Sequence, residues 1–266
     1  MVEPGTSSGF DYDPTTYEQI YSGIVYEGQR PWNFLNVLKA NIPPGSKILD
    51  CGCGPISTPK LQAIAPQAAR IVAFDSSYKK RILESARANL AKQDIVDKTD
   101  LLYADISPAE GGFPFRDETF DAVTFMLAPH NALETYRVLR PGGVVILERV
   151  GEKDKRNIKA EFGMGIDRKP RGYLMEHQPG DLSRIYEEDF RNAGFSDVQV
   201  TDGLWDTFYT SEGLLKIIQG ARTVRDFDSV KDTEILRTIQ EKFGDAEKAI
   251  HTFQHRILLI ARKPLA

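Results

Sequence analysis

The stretch Lys47-Ile48-Leu49-Asp50-Cys51-Gly52-Cys53-Gly54-Pro55-Ile56 decides the fold. A short apolar run ends in an acidic residue and enters a turn with two glycines, and Lys60 to Ile64 beyond it carry helical patterning. Glycines at such a turn let a ligand lie against bare backbone, and a helix start offers N–H groups with no intrahelical partner. The segment therefore reads as the strand, turn and helix of a nucleotide-type site. A single Gly-x-Gly pair is a weak signal, so the reading rests on what stands around it.

Downstream, Arg70 to Asp75 forms a second predicted strand. Asp75 closes it, where a carboxylate can accept two hydrogen bonds from the vicinal hydroxyls of a ribose. Thr99 to Tyr103 is a third strand followed by Asp105 and Ile106, placed to meet an adenine amino group and to flank its ring. Helical spacing of Ile82, Leu83, Ala86 and Leu90 marks a helix over Lys79 to Ala91. Phe120 to Met126 (strand), Ala132 to Leu139 (helix), the turn Arg140 to Gly143 and Gly143 to Arg149 (strand) continue the alternation. Leu182 to Ala193 is a helix stopped by Gly194, and Phe195 to Val200 and Arg256 to Ala261 are the last strands. This order predicts an α/β fold with a seven-stranded, mostly parallel Rossmann-like sheet and helices on both faces.

Two additions flank that core. Residues 1–40 read as a helical lead-in, with helices around Tyr17 to Tyr21 and after Pro31, the second placing Phe34, Leu35, Val37 and Leu38 on one side. Residues 41–202 form the core and 255–266 its last strand. Between them, 203–254 read as a helical insertion, marked by Leu214, Leu215, Ile217 and Ile218 and by Ile235, Leu236, Ile239 and Phe243.

The chain has 266 residues, 41% hydrophobic and 27% charged, as expected of a globular protein. Its net charge of −4 gives no general basic field and disfavours a protein that coats nucleic acid. No apolar run approaches the roughly 20 residues of a membrane span, and Met1 to Phe10 lack the layout of a signal peptide. A cytoplasmic protein acting on a small molecule is expected, with no membrane partner. Cys51 and Cys53 are too close for an ordinary disulfide and lack a zinc pattern, so they read as small residues of the glycine turn.

The ordered set Ile48 to Pro55, Ile71 to Asp75, Leu101 to Ile106, Phe113 to Asp117, Thr119 to Val123 and Arg137 to Gly143 resembles the class I methyltransferases that use S-adenosyl-L-methionine (SAM), of the small-molecule and ubiquinone-biosynthesis type. The likeness covers about Ser46 to Val150 closely, and Leu182 to Val200 with Arg256 to Lys263 more loosely. Gly151 to Asp154, Phe162 to Gly165, Phe227-Asp228 and His255 to Leu258 further resemble a bacterial group of methyltransferases with no assigned substrate. Ile56 departs from the pattern, standing where a third glycine is common, and the segment from Asp105 to Phe113 is longer than usual. The resemblance implies that Asp50, Gly52 and Gly54 surround the methionine part of SAM, that Asp75 holds the ribose, and that Asp105 and Ile106 frame the adenine. Ser76 and Leu127 complete the implied cofactor contacts, while Tyr21 and Arg30 of the lead-in would meet the sulfonium and the carboxylate.

His130, just past the fourth strand, is a candidate general base, with helix capping as the plainer role. Glu148 and Arg149 end the fifth strand and either position an acceptor or lie at the surface. The basic runs Lys153 to Lys159 and Arg168 to Arg171 read first as solvated faces, and otherwise as a grip on a substrate phosphate, a carboxylate or RNA. His251 and His255 have a metal-compatible spacing without an accompanying carboxylate motif, so no metal is expected. Trp205, Phe208 and Tyr209 are an aromatic cluster for core or substrate wall. The expected activity is methyl transfer to a small molecule; an RNA methyltransferase and a SAM-binding module without catalysis are the alternatives.

Overall fold

The computed structural model describes residues 23–54, 58–75, 80–92, 95–104, 112–221, 223–245, 247 and 249–265. Among the described residues, eight strands form one sheet: β1 Ile24–Glu27, β2 Ser46–Cys51, β3 Ala68–Asp75, β4 Thr99–Tyr103, β5 Phe120–Met126, β6 Leu139–Val150, β7 Ser196–Tyr209 and β8 Ile250–Arg262. Their order is β1-β7-β8-β6-β5-β2-β3-β4. The five strands from β6 to β4 run parallel, and β8, β7 and β1 add antiparallel pairings at the other side. The helices are α1 Phe34–Asn41, α2 Thr58–Ile64, α3 Lys80–Lys92, α4 Ala132–Val138, α5 Arg156–Glu161, α6 Asp181–Asn192, α7 Ser211–Gly220 and α8 Thr233–Phe243.

The period-two geometry of strands explains why apolar runs and not alternating ones build this sheet. Leu49, Val72, Val123 and Leu147 point to one face and pack with Leu182, Tyr186 and Phe190 of α6. Their neighbours Ile48, Ile71, Ala122 and Ile146 point to the other, against Phe34 and Leu38 of α1, Leu61 of α2 and Leu90 of α3. Both faces are therefore covered.

One strand was not expected. Ile24–Glu27 pairs antiparallel with β7, with Ile24 opposite Tyr209 and Glu27 opposite Thr207. A four-residue edge strand carries too short a pattern to stand out from a helical lead-in. The expected helix after Pro31 starts at Phe34, because the Asn33 side chain caps it by accepting the Asn36 N–H. Tyr17 to Tyr21 lie outside the described residues.

The boundaries of the insertion also change. Residues 203–209 and 250–254 are strand, continuing β7 and β8 as a hairpin in register from Gly203↔Arg256 to Tyr209↔Ile250. Pairing of β8 with β6 ends at Val150↔Arg256, so these arms project past the parallel core. A third apolar cluster forms on them: Ile158 and Phe162 of the α5 segment, Tyr209, Leu214, Ile217 and Ile218 of α7, and Ile239 of α8. The turn expected at Arg140 to Gly143 is absorbed into β6 as a bulge: the register moves from Phe120↔Leu139 to Ala122↔Val144, and Gly142 takes φ +78°.

Candidate active site

Strand order reverses at β2, which pairs with β3 on one side and β5 on the other, and open α/β sheets hold ligands outside the carboxyl ends of strands at such a point. Asp50 lies there, fully buried and opposite Thr124 of β5. The Thr124 hydroxyl donates to Asp50 Oδ1 at 2.7 Å, and the buried Lys60 ammonium makes an ion pair with the same oxygen. Asp50 Oδ2 has no partner among the described residues. One oxygen of this buried carboxylate is thus engaged by Thr124 and Lys60, and the other is not engaged by any described residue. Lys60 carried no signal in the sequence, where a lysine early in a helix reads as surface.

The glycine turn is fixed by backbone. Gly52 and Cys53 donate to the Phe74 carbonyl at 2.9 and 3.0 Å, and Gly54 donates to Asp75 Oδ2 at 2.8 Å. Gly52 and Gly54 take φ of +67° and +57°, a region that non-glycine residues enter at a cost of about 1–2 kcal/mol. Among the described residues, a Cβ on Gly54 would meet no atom within 4 Å. Asp75 thereby couples the turn to the end of β3. Burial, then the charge of Asp50, pushes the Cys51 thiol well above its ordinary pKa. Burial raises that of Cys53 too, followed by Asp75 and Asp50. Both remain protonated thiols at neutral pH, which suits packing beside the turn and not nucleophilic attack.

Beyond the ends of β5 and β6 lies a cavity of about 210 Å³. Leu127, Arg149 and Val150 form its floor, Tyr209, Gln254 and Arg256 come from the hairpin arms, and Ile217 and Thr223 from the insertion. Leu127 takes φ +56°, held by its N–H to the Glu148 carbonyl at 2.8 Å. Its backbone turns the chain out of β5 and brings its side chain into the lining.

Residues 48–143 match the family model described as a methyltransferase domain. This part of the chain is similar to the methyltransferase domains of that family. Ubiquinone/menaquinone biosynthesis C-methyltransferase UbiE of Geotalea daltonii is 28% identical over 149 residues, which cover 52% of this chain and 60% of that protein. The chain therefore spans less than two thirds of the curated relative it matches. Among solved structures, YcgJ of Bacillus subtilis superposes with a TM-score of 0.61 at 17% identity over 88% of this chain and 99% of that one. Phosphoethanolamine N-methyltransferase 2 of Haemonchus contortus, solved with S-adenosylhomocysteine (SAH), gives 0.53 at 21% identity over 99% and 59%. At these identities the structures establish the Rossmann-like fold.

Within the matched region, Asp50, Gly52, Gly54 and Asp75 are brought together at the ends of β2 and β3. Leu127 lines the cavity beyond the end of β5. Ser76, Asp105, Ile106 and Tyr21 lie outside the described residues. Arg30 follows β1, where its guanidinium pairs with Glu27 at 2.9 Å and lies over the Trp205 ring.

His130 does not line the cavity. Its ring stacks on Phe190, meets Tyr186 edge-on, and approaches Asp189 at 3.5 Å, all on α6. Burial, outweighing the Asp189 carboxylate, lowers its pKa. The arrangement is that of a neutral ring wedged between β5 and α6. His251 and His255 sit on β8 and not on a helix, bonded respectively to Asp206 at 2.6 Å and Asp202 at 2.9 Å across the hairpin. No cluster of three metal-ligating residues occurs among the described residues.

The basic runs are only partly solvated: Arg168 and Lys169 are exposed, and most of the others turn to protein partners. Lys155 and Lys159 are buried, Arg156 donates to the Glu152 and His177 carbonyls, and Arg171 grips Asp232 with two hydrogen bonds of 2.8 Å. Glu148 is buried and accepts from the Trp32 indole at 2.7 Å. Trp205 likewise donates to Glu27 at 2.7 Å, serving the edge of the hairpin.

Proposed function

We propose that the protein is a SAM-dependent methyltransferase that passes the methyl group to a small-molecule acceptor by direct in-line displacement. The observation that carries this reading is the glycine turn at the strand-order reversal, with Gly54 tied to Asp75 and no described atom within 4 Å of where a Cβ on it would stand. The half-satisfied Asp50 carboxylate and the bare Gly54 backbone fit the methionine part of SAM, and Asp75 the ribose. Ser76, Asp105, Ile106 and Leu127 complete the proposed set by the family resemblance. SAM supplies a sulfonium-activated methyl group, so the chain's own residues need only hold the acceptor in line and keep water out. Such alignment supplies roughly 7–11 kcal/mol of barrier reduction.

We assign the acceptor to the cavity beyond the end of β5. Methyl transfer to it needs no metal and no covalent intermediate. His130, turned toward α6, is assigned no proton transfer; a positioning role for α6 suits its contacts. The inward course of Lys153 to Lys159 favours a small molecule over RNA, since a surface that reads phosphate backbones must expose its cations. Among the described residues no helix is long and apolar enough to cross a membrane.

Calorimetric titration of the full chain with SAM, SAH and NAD tests the reading. Binding of the two adenosyl ligands without NAD is expected; a folded sample that binds neither adenosyl ligand overturns it.

A further inference from the structure

One buried nucleophile has no part in the function proposed above. Lys159, on α5, is only 2% exposed and lines the cavity together with Lys155, Tyr173, Leu127 and Ile217. Its amine donates to the Tyr173 carbonyl at 2.9 Å. Among the described residues that amine makes no ion pair and no further hydrogen bond. Lys155, one helical turn earlier, is the contrast: its ammonium lies 3.2 Å from Asp154 Oδ2.

An ammonium carries three N–H groups, and burying it with one of them paired costs the desolvation of the other two. A neutral amine has two N–H groups and a lone pair, which a single carbonyl partner suits better. The surroundings act in the same direction. Burial first, opposed by Asp154 and helped by Lys155, Arg256 and Arg156, pushes the Lys159 amine down to about 8. An ordinary lysine titrates near 10.4, so at pH 7 about one Lys159 amine in ten is free, against about one in 2,500 for an ordinary lysine.

We infer that Lys159 is a nucleophilic amine that captures a small aldehyde or ketone in the cavity as an imine. The Nζ lone pair bonds to the carbonyl carbon, both amine protons pass to the carbonyl oxygen, and that oxygen leaves as water. No oxidant or reductant enters the step. Leu127 and Ile217 supply an apolar wall for the body of the compound, and Tyr173, 40% exposed, joins the lining to the surface. That the captured compound is also a methyl acceptor rests on the function proposed above; the imine itself does not.

The test treats the full chain at pH 7 with benzaldehyde and sodium cyanoborohydride, which reduces an imine to a stable benzylated amine, and maps the modified lysines by peptide mass spectrometry. SAH is titrated in parallel. Lys159 is expected to be benzylated about tenfold or more faster than Lys231, whose side chain is 83% exposed, while the paired Lys155 stays unmodified. Lys159→Met should remove the fast adduct and leave labelling of Lys231 unchanged. Benzylation of Lys159 no faster than that of Lys231 or Lys155, or a fast adduct that survives Lys159→Met, overturns the capture. The peptide map of the unsubstituted chain decides the matter even if Lys159→Met fails to fold. A fast Lys159 adduct with no SAH binding keeps the amine and removes the methyl-transfer reading; SAH binding with no such adduct does the reverse.

Discussion

The two ends of the proposed reaction space are built from different materials. The glycine turn is a backbone device on parallel strands: its donors are the N–H groups of residues 52 to 54, and its buried charges Asp50 and Lys60 pair one to one. The cavity is a side-chain device on antiparallel arms, lined in part by Arg149, Lys155, Lys159 and Arg256 and next to a hydrophobic cluster of its own. A turn that must hold a constant ligand is specified by glycine and aspartate at fixed places. A pocket for a variable one is assembled from segments distant in the chain, so its chemistry can change while the sheet stays the same.

The largest expected effect breaks the one-to-one pairing. Lys60→Ala leaves Asp50 as a buried uncompensated charge and should cost about 3–5 kcal/mol, whereas Lys60→Met combined with Asp50→Asn should cost much less. Urea unfolding of both variants checks this, and equal losses would show that the pair is not coupled.

Next, Ile239→Ala removes a fully buried side chain from the cluster on the hairpin arms. A loss of about 2–5 kcal/mol is expected. If the cavity end depends on that cluster while the glycine turn does not, SAH binding should persist in the variant at denaturant concentrations that already loosen the hairpin arms.

The pH dependence of stability sharpens the contrast further. Lys159 titrates near 8 in the folded protein against 10.5 in the unfolded chain. Below pH 8 both states hold the proton and the cost of the buried charge is fully present. Between pH 8 and 10.5 the unfolded chain binds more protons, so stability should rise by up to about 3 kcal/mol. Lys159→Met should remove this rise and stabilise the protein at pH 7; an unchanged slope would assign it elsewhere.

The smallest effect concerns the turn. Asp75→Ala should cost about 1–3 kcal/mol of SAM affinity, by removing a charged acceptor and the tether of Gly54. Calorimetry with SAM reads it directly, and unchanged affinity would move the ribose away from Asp75.

The parallel core was legible because its determinants are local. Apolar strands buried on both faces stand out as runs, and Gly52, Gly54, Asp50 and Asp75 mark the ends of those strands, so the fold class and the place of the glycine turn were legible in the pattern. The edge strand Ile24–Glu27 and the hairpin arms 203–209 and 250–254 were not legible, because strand state there depends on a partner far away in the chain. The same holds for the charges. Lys60 and Lys159 have the composition of surface residues, and only the folding of α2 onto Asp50 and of α5 onto β8 encloses them. His130 and Arg30 show the converse: their residue types suggested chemistry, and packing against α6 and β7 gave them other partners. Local sequence thus determined the sheet and its glycine turn, since backbone geometry and burial act residue by residue. Tertiary structure decided which cations face an enclosed cavity, since burial of a charge is a property of everything packed around it.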